Sequence, residues 1–196
     1  MTRVAPALPA PDLAACLRSG QAAIFPTDTL PALATCPAQA QLLWELKQRP
    51  AHKPVILMAA TETELWQALG VDPLPAWQGL ARQHWPGALT LVLPARSFLA
   101  RQLNPIGESL GVRIPACQAA LELLRCSGPL ATTSANRSGE PACMTATEAR
   151  LCFPQVARLA PETWPEASGR ASTVLGWEGQ GWRLLRQGAV TPPPLM

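Results

Sequence analysis

Apolar positions along the chain follow two rhythms. Short unbroken runs stopped by proline or glycine predict strands at Ala22 to Phe25, Val55 to Met58, Leu89 to Leu93, Gly111 to Ile114 and Pro129 to Thr133. Shorter runs at Val156 to Leu159, Ser172 to Trp177 and Trp182 to Leu185 predict three more. Between them, apolar residues three and four apart predict helices. One opens at Asp12, read as its cap, and closes at Gly20; another runs from Ala38 to Lys47 with Leu42, Leu43 and Leu46 at helical spacing. Thr61 and Glu64 form a capping-box pair opening a helix that Gly70 closes. Leu74 to Trp85, Ala116 to Cys126 and Thr145 to Cys152 complete the helical set. Strands alternating with helices predict an α/β fold. Several connections are too short for crossovers, so the sheet is expected to mix parallel and antiparallel strands, flanked by helices. No internal repeat, low-complexity tract or linker interrupts the pattern, and a single domain over residues 1–196 is expected.

Composition narrows the function classes. Of the 196 residues, 48% are hydrophobic and only 15% charged, which supplies a core and excludes a disordered chain. The net charge of +3 permits an anionic partner without requiring one. Six cysteines, at positions 16, 36, 117, 126, 143 and 152, have no CxxC spacing, and neither His52 nor His84 completes a metal set with them. They are expected to be reduced and structural, with no zinc. Pro6, Pro9, Pro11 and Asp12 break any signal-peptide core, and no run of 18 apolar residues exists, so no membrane span and a cytoplasmic location are expected.

The basic residues carry the first chemical clue. Fourteen of sixteen are arginine, and both lysines, Lys47 and Lys53, fall in Lys47-Gln48-Arg49-Pro50-Ala51-His52-Lys53. Lysine is a compact point charge suited to phosphate oxygens, and three cations without an acid repel one another unless an anion sits among them. A solvated basic turn after a helix is the plainer reading. A second cluster, Thr132-Thr133-Ser134-Ala135-Asn136-Arg137-Ser138-Gly139, follows a predicted strand, where small hydroxyl and amide groups let a polyanion approach the backbone. An ordinary hydroxyl-rich turn would look the same. Neither GxxxxGK, GxGxxG nor GxSxG occurs, so the standard nucleotide loops and the hydrolase elbow are not indicated.

Five segments in order resemble one family. They are Ile24-Phe25-Pro26-Thr27-Asp28-Thr29, Leu46-Lys47-Gln48-Arg49-Pro50 with Lys53, Trp85-Pro86-Gly87-Ala88-Leu89-Thr90, Gly111-Val112-Arg113-Ile114-Pro115, and Thr133-Ser134-Ala135-Asn136-Arg137-Ser138-Gly139. Together they are similar to the YrdC-like threonylcarbamoyl-AMP synthases, in their short single-domain bacterial form, from about residue 12 to about Gly188. The resemblance implies a twisted mixed sheet around a concave, positively charged groove. It implies a nucleotidyltransferase that joins L-threonine, bicarbonate or carbon dioxide, and ATP with Mg2+ into threonylcarbamoyl-adenylate and pyrophosphate, for tRNA modification. By the same resemblance Lys47, Arg49, Ser134 and Asn136 form a catalytic polar tetrad that also binds ATP, with Lys53, Ser172 and Arg186 on the nucleotide. Thr29, Arg113 and Ser134 are implied to hold threonine. Implied partners are tRNA or double-stranded RNA and the proteins that transfer the threonylcarbamoyl group to tRNA.

Leu30-Pro31-Ala32-Leu33 departs from the family pattern, which has an aromatic and a glycine after the Pro-Thr-Asp-Thr start. Pro31 fixes φ and lacks an N–H, so an altered threonine-pocket wall is expected. Pro54 to Met58 lacks a histidine found in longer relatives, and Glu166 to Arg170 is looser than the usual glycine-rich loop. Two other readings stay open: a non-enzymatic RNA-binding module holding phosphates alone, and a carbamoyl-transfer unit acting on another acceptor.

Overall fold

The computed structural model describes residues 4–50 and 53–191. Its elements run in the order β1 (Ala7–Leu8), α1 (Ala10–Arg18), β2 (Ala23–Phe25), β3 (Ala32–Thr35), α2 (Gln41–Lys47), β4 (Ile56–Met58), α3 (Glu62–Leu69), α4 (Pro75–His84) and β5 (Leu89–Pro94). They continue with α5 (Phe98–Leu103), β6 (Ser109–Arg113), α6 (Gln118–Ser127), β7 (Leu130–Ser134), α7 (Ala146–Cys152), β8 (Ala157–Leu159), β9 (Thr173–Glu178) and β10 (Gly181–Arg186). The strands form one sheet in the order β1-β8-β2-β3-β7-β4-β6-β5-β9-β10. The pairs β1/β8, β2/β8, β4/β6 and β5/β9 are parallel, and the others antiparallel, so the expected mixed α/β sheet is present.

Two apolar layers cover the two faces, and the period of two along a strand feeds both. In β2, Ala23 and Phe25 enter one core with Leu13 and Leu17 of α1 and Leu123 and Leu124 of α6. Ile24 enters the other, with Leu43 of α2, Leu65 and Leu69 of α3 and Leu80 of α4. Strands buried on both faces need apolar side chains at every position, which is why they read as unbroken runs rather than as alternation.

Local chemistry accounts for the ends of α3. The Thr61 hydroxyl accepts from the Glu64 N–H at 3.4 Å, and the Glu64 carboxylate accepts from the Thr61 N–H at 3.0 Å. Gly70 then closes the helix at φ +66°, with Ser97 pressed against its Cα. Three elements lay outside the sequence reading: β1, β3 and α5. The helix expected from Ala38 starts instead at Gln41, because Pro37–Gln39 form a separate 3-10 turn. Asp12 sits inside the first turn of α1 rather than capping it; Pro9 is the cap residue. Among the described residues no helix is long and apolar enough to cross a membrane.

Candidate active site

The central strands carry a cleft of about 210 Å³ on the face shared with α1 and α6. Ile56 and Met58 of β4 and Thr132 and Ser134 of β7 line it, two residues apart on each strand, as one face of a sheet requires. Its floor is built from the turn after β2. The Thr27 hydroxyl accepts from the backbone N–H groups of Thr29, at 3.1 Å, and Leu30, at 3.2 Å, folding the chain back on itself. Pro31 follows with no cost from its missing N–H, since strand pairing begins at Ala32, and its carbonyl accepts from the Ala135 N–H at 2.8 Å.

Arg113 closes the floor from the end of β6 and is 2% exposed. Its Nε donates to the Gly87 carbonyl at 2.9 Å, Nη1 to the Thr29 hydroxyl at 2.8 Å and Nη2 to Asp28 Oδ1 at 2.6 Å. Burial pushes its pKa down from the ordinary arginine value, and the Asp28 carboxylate pushes it back up. Arg186 adds a smaller like-charge effect from the far wall.

That far wall joins the start of β9 to the end of β10. Arg186 donates from Nε and Nη2 to the Ser172 carbonyl at 3.2 and 2.9 Å, and from Nη2 to the Ser172 hydroxyl at 3.2 Å. The Ser172 hydroxyl shares a 2.8 Å hydrogen bond with the buried Thr90 hydroxyl. A strap without regular structure, residues 161–171, crosses to the floor: Ser168 N–H donates to the Asp28 carbonyl and Gly169 N–H to the Thr29 carbonyl, both at 3.2 Å.

The third wall is the loop after β7. Ser134 donates its hydroxyl proton to Asn136 Oδ1 at 2.6 Å, leaving acceptor lone pairs for the cleft. Asn136 Nδ2 donates to the carbonyls of Arg137, at 2.9 Å, and Glu140, at 2.7 Å. Lys47, 2% exposed, sits behind this loop and donates from Nζ to Ser134 O, Asn136 O and Asn136 Oδ1 at 2.6, 2.5 and 3.0 Å. Burial, and then the neighbouring Arg49, lower its pKa to about 8. Gln48 in the left-handed region ends α2 and turns the chain, so that Arg49 lines the cleft. Arg49 donates to Thr133 Oγ1 at 3.3 Å and to the Pro54 carbonyl at 3.0 Å, while its Nε is buried without a partner.

Six of the nine residues singled out from the sequence therefore share the cleft: Thr29, Arg49, Arg113, Ser134, Ser172 and Arg186. Three do not line it. Lys47 and Asn136, expected to touch the nucleotide, spend their polar atoms on the loop itself. Lys53 is exposed and outside the lining; its carbonyl accepts from Trp44 Nε1 at 2.8 Å. Ala51 and His52 of the same segment lie outside the described residues. The sequence reading gave no role to Asp28, Thr90, Thr133 or the Gly87 carbonyl. All four stand inside the quoted segments, but each acts through a partner distant in sequence, 26 residues away for Gly87 and 82 to 85 for the other three. Among the described residues no carboxylate lines the cleft, and no three of His, Cys, Asp and Glu gather as a metal set would.

Comparison with known proteins bears on this arrangement. The Sua5/YciO/YrdC family model, described as "Telomere recombination", matches residues 15–188. A Bacillus subtilis protein named threonylcarbamoyl-AMP synthase is 35% identical over 184 residues, covering 91% of this chain and 53% of that protein. A Vibrio campbellii protein of the same name is 32% identical over 178 residues, covering 88% and 95%. The chain thus spans about half of the first relative and nearly all of the second. The crystal structure of Pyrococcus abyssi Sua5 complexed with L-threonine superposes with a TM-score of 0.83 at 30% identity, covering 91% of this chain and 54% of that one. Escherichia coli YciO superposes with a TM-score of 0.81 at 20% identity, covering 96% of both, which concerns the fold alone. With the family model spanning β2 to the end of β10 and every cleft residue inside it, the chain belongs to the Sua5/YciO/YrdC family.

Proposed function

We infer that the chain is a threonylcarbamoyl-AMP synthase acting in the cytoplasm in tRNA modification. The observation that carries this reading is the charge of the cleft. Three guanidinium groups, Arg49, Arg113 and Arg186, line it without a carboxylate, and only Asp28, behind Arg113, offsets them. Such a surface suits a polyanion together with an amino-acid carboxylate. The names of the relatives and the threonine bound to Pyrococcus abyssi Sua5 support the same choice.

In this reading threonine lies on the floor, its carboxylate toward Arg113 and Thr29 and a donor of its own toward the Ser134 hydroxyl. Its unprotonated amine adds to the carbon of carbon dioxide and releases a proton, or condenses with bicarbonate and releases water, to give a carbamate. A carbamate oxygen attacks the α-phosphorus of ATP, the bond to the β-phosphate oxygen breaks, and pyrophosphate leaves with the electron pair. Charge grows on the transferring phosphoryl and the leaving group, and Arg49, Arg186 and Ser172 supply cations and donors for it. Lys47 and Asn136 serve from behind, holding Ser134 and the loop backbone in place, and Lys53 offers an outer charge to the triphosphate. Mg2+ enters as part of the nucleotide substrate. The adenylate product then passes to the proteins that modify tRNA.

Pyrophosphate release is the test, with ATP, Mg2+ and bicarbonate and one amino acid at a time. Release should require bicarbonate and threonine, continue with serine at a modest penalty, and nearly vanish with valine, which leaves the Ser134 acceptor unpaired. Salt-sensitive binding of duplex RNA without turnover of any amino acid would sink the synthase in favour of a binding module.

A further inference from the structure

We propose that Asp28 is a positioning residue that sets the direction of Arg113, and through it the affinity for the amino acid. The inference rests on the synthase reading. Asp28 does not line the cleft, so it acts only through its neighbour. Its Oδ1 accepts from Arg113 Nη2 at 2.6 Å and from the Ala116 N–H at 3.0 Å, so one oxygen joins the end of β6 to the residues leading into α6. The Arg113 guanidinium has five N–H groups, and three are committed, to Gly87, Thr29 and Asp28. One N–H on each η nitrogen remains for a substrate carboxylate. Gly87 and Thr29 are neutral acceptors contacting Nε and Nη1; Asp28 supplies the charged acceptor of the three, at Nη2, in the shortest contact. The backbone of the same residue anchors the strap, through Ser168 N–H. Asp28 thus ties the floor of the cleft to the strap.

Asp28 reaches Arg113 through both the position of this oxygen and its charge, and two variants separate the two. D28N keeps an oxygen at Oδ1 and removes the charge; D28E keeps the charge and moves the oxygen by one methylene. Threonine KM and kcat, from pyrophosphate release, and ATP Kd, from calorimetry, would be measured for both. D28E should raise the threonine KM tenfold or more and leave the ATP Kd within threefold. D28N, which keeps the oxygen in place, should raise the threonine KM less than D28E does. A merely structural role would weaken both substrates together. An unchanged threonine KM in D28E, a matching loss of ATP affinity, or a D28N enzyme as impaired as D28E overturns the inference while leaving the synthase reading intact. A parent enzyme with no threonine-dependent release overturns both. If D28N does not fold, D28E alone decides, because its carboxylate preserves the charge pairing of the buried arginine.

Discussion

Lys47 ends α2 with its ammonium buried among three neutral oxygens and no carboxylate. The pKa near 8 expresses that environment: burial disfavours the charge, and Arg49 disfavours it further. Between pH 8 and the ordinary lysine value of 10.5 the folded chain holds a neutral amine where the unfolded chain holds an ammonium. The contribution of Lys47 to stability therefore rises with pH across that window, because at this group the unfolded state binds the additional proton; above pH 9 the raised Cys36, Cys117 and Cys143 thiols contribute with the opposite sign. Nucleotide affinity should move the other way, since an amine has one N–H fewer for three acceptors and lends no positive charge to the loop behind the phosphates. Nearby Cys143, pushed up to about 12 by burial and by Cys152, keeps its proton in the folded chain between pH 7 and 9. Calorimetry from pH 7 to pH 9 should show ATP binding weakening above about pH 8, by at most about tenfold per unit. In Lys47→Met binding should be weak and free of this slope. A flat profile in the parent would remove Lys47 from the account.

At the scale of elements, the strap of residues 161–171 separates itself from the strands beside it. It has no ladder of its own and meets the floor through two 3.2 Å hydrogen bonds, with Met144 packed where a Cβ on Gly169 would fall. A segment with so few backbone bonds opens at low cost compared with a central strand. The cleft, which the strap meets at Ala171, is about 210 Å³, smaller than the roughly 300–1,000 Å³ of common ligand pockets, so in the synthase reading the strap is expected to shift or to rest against the bound nucleotide. Hydrogen exchange at Ser168 and Gly169 should be fast in the free protein and slow when ATP and threonine are both present. Equal protection with and without the two substrates would make the strap a fixed wall. Thr61 and Glu64 show the opposite limit, an element end whose chemistry is entirely local and was legible four residues at a time.

Across the whole molecule the sheet keeps its two faces for separate tasks. Leu57, fully buried on β4, points into the core beneath α2, α3 and α4, while its neighbours Ile56 and Met58 line the cleft on the other side. Leu57→Ala should cost about 2–5 kcal/mol, and Tm should fall by about 2–4 °C for each kcal/mol, with substrate KM values unchanged. A large rise in threonine KM at little loss of Tm would mean that the two faces are coupled. The sequence by itself determined the α/β class, most element positions, the caps of α3 and the family, because periodicity, proline and glycine act over a few residues. It also marked Lys47 as exceptional, through the near absence of other lysines. It did not reveal β3, whose Ala32, Ala34 and Thr35 carry little apolar signal and are small because the strand is enclosed between β2 and β7. Nor did it reveal that Lys47 donates to the backbone and side chain of the loop after β7, or that Asp28 meets Arg113 85 positions away. Those choices belong to the tertiary structure, because a polar side chain takes its partner from strand order and register, and neither is written in the neighbouring residues.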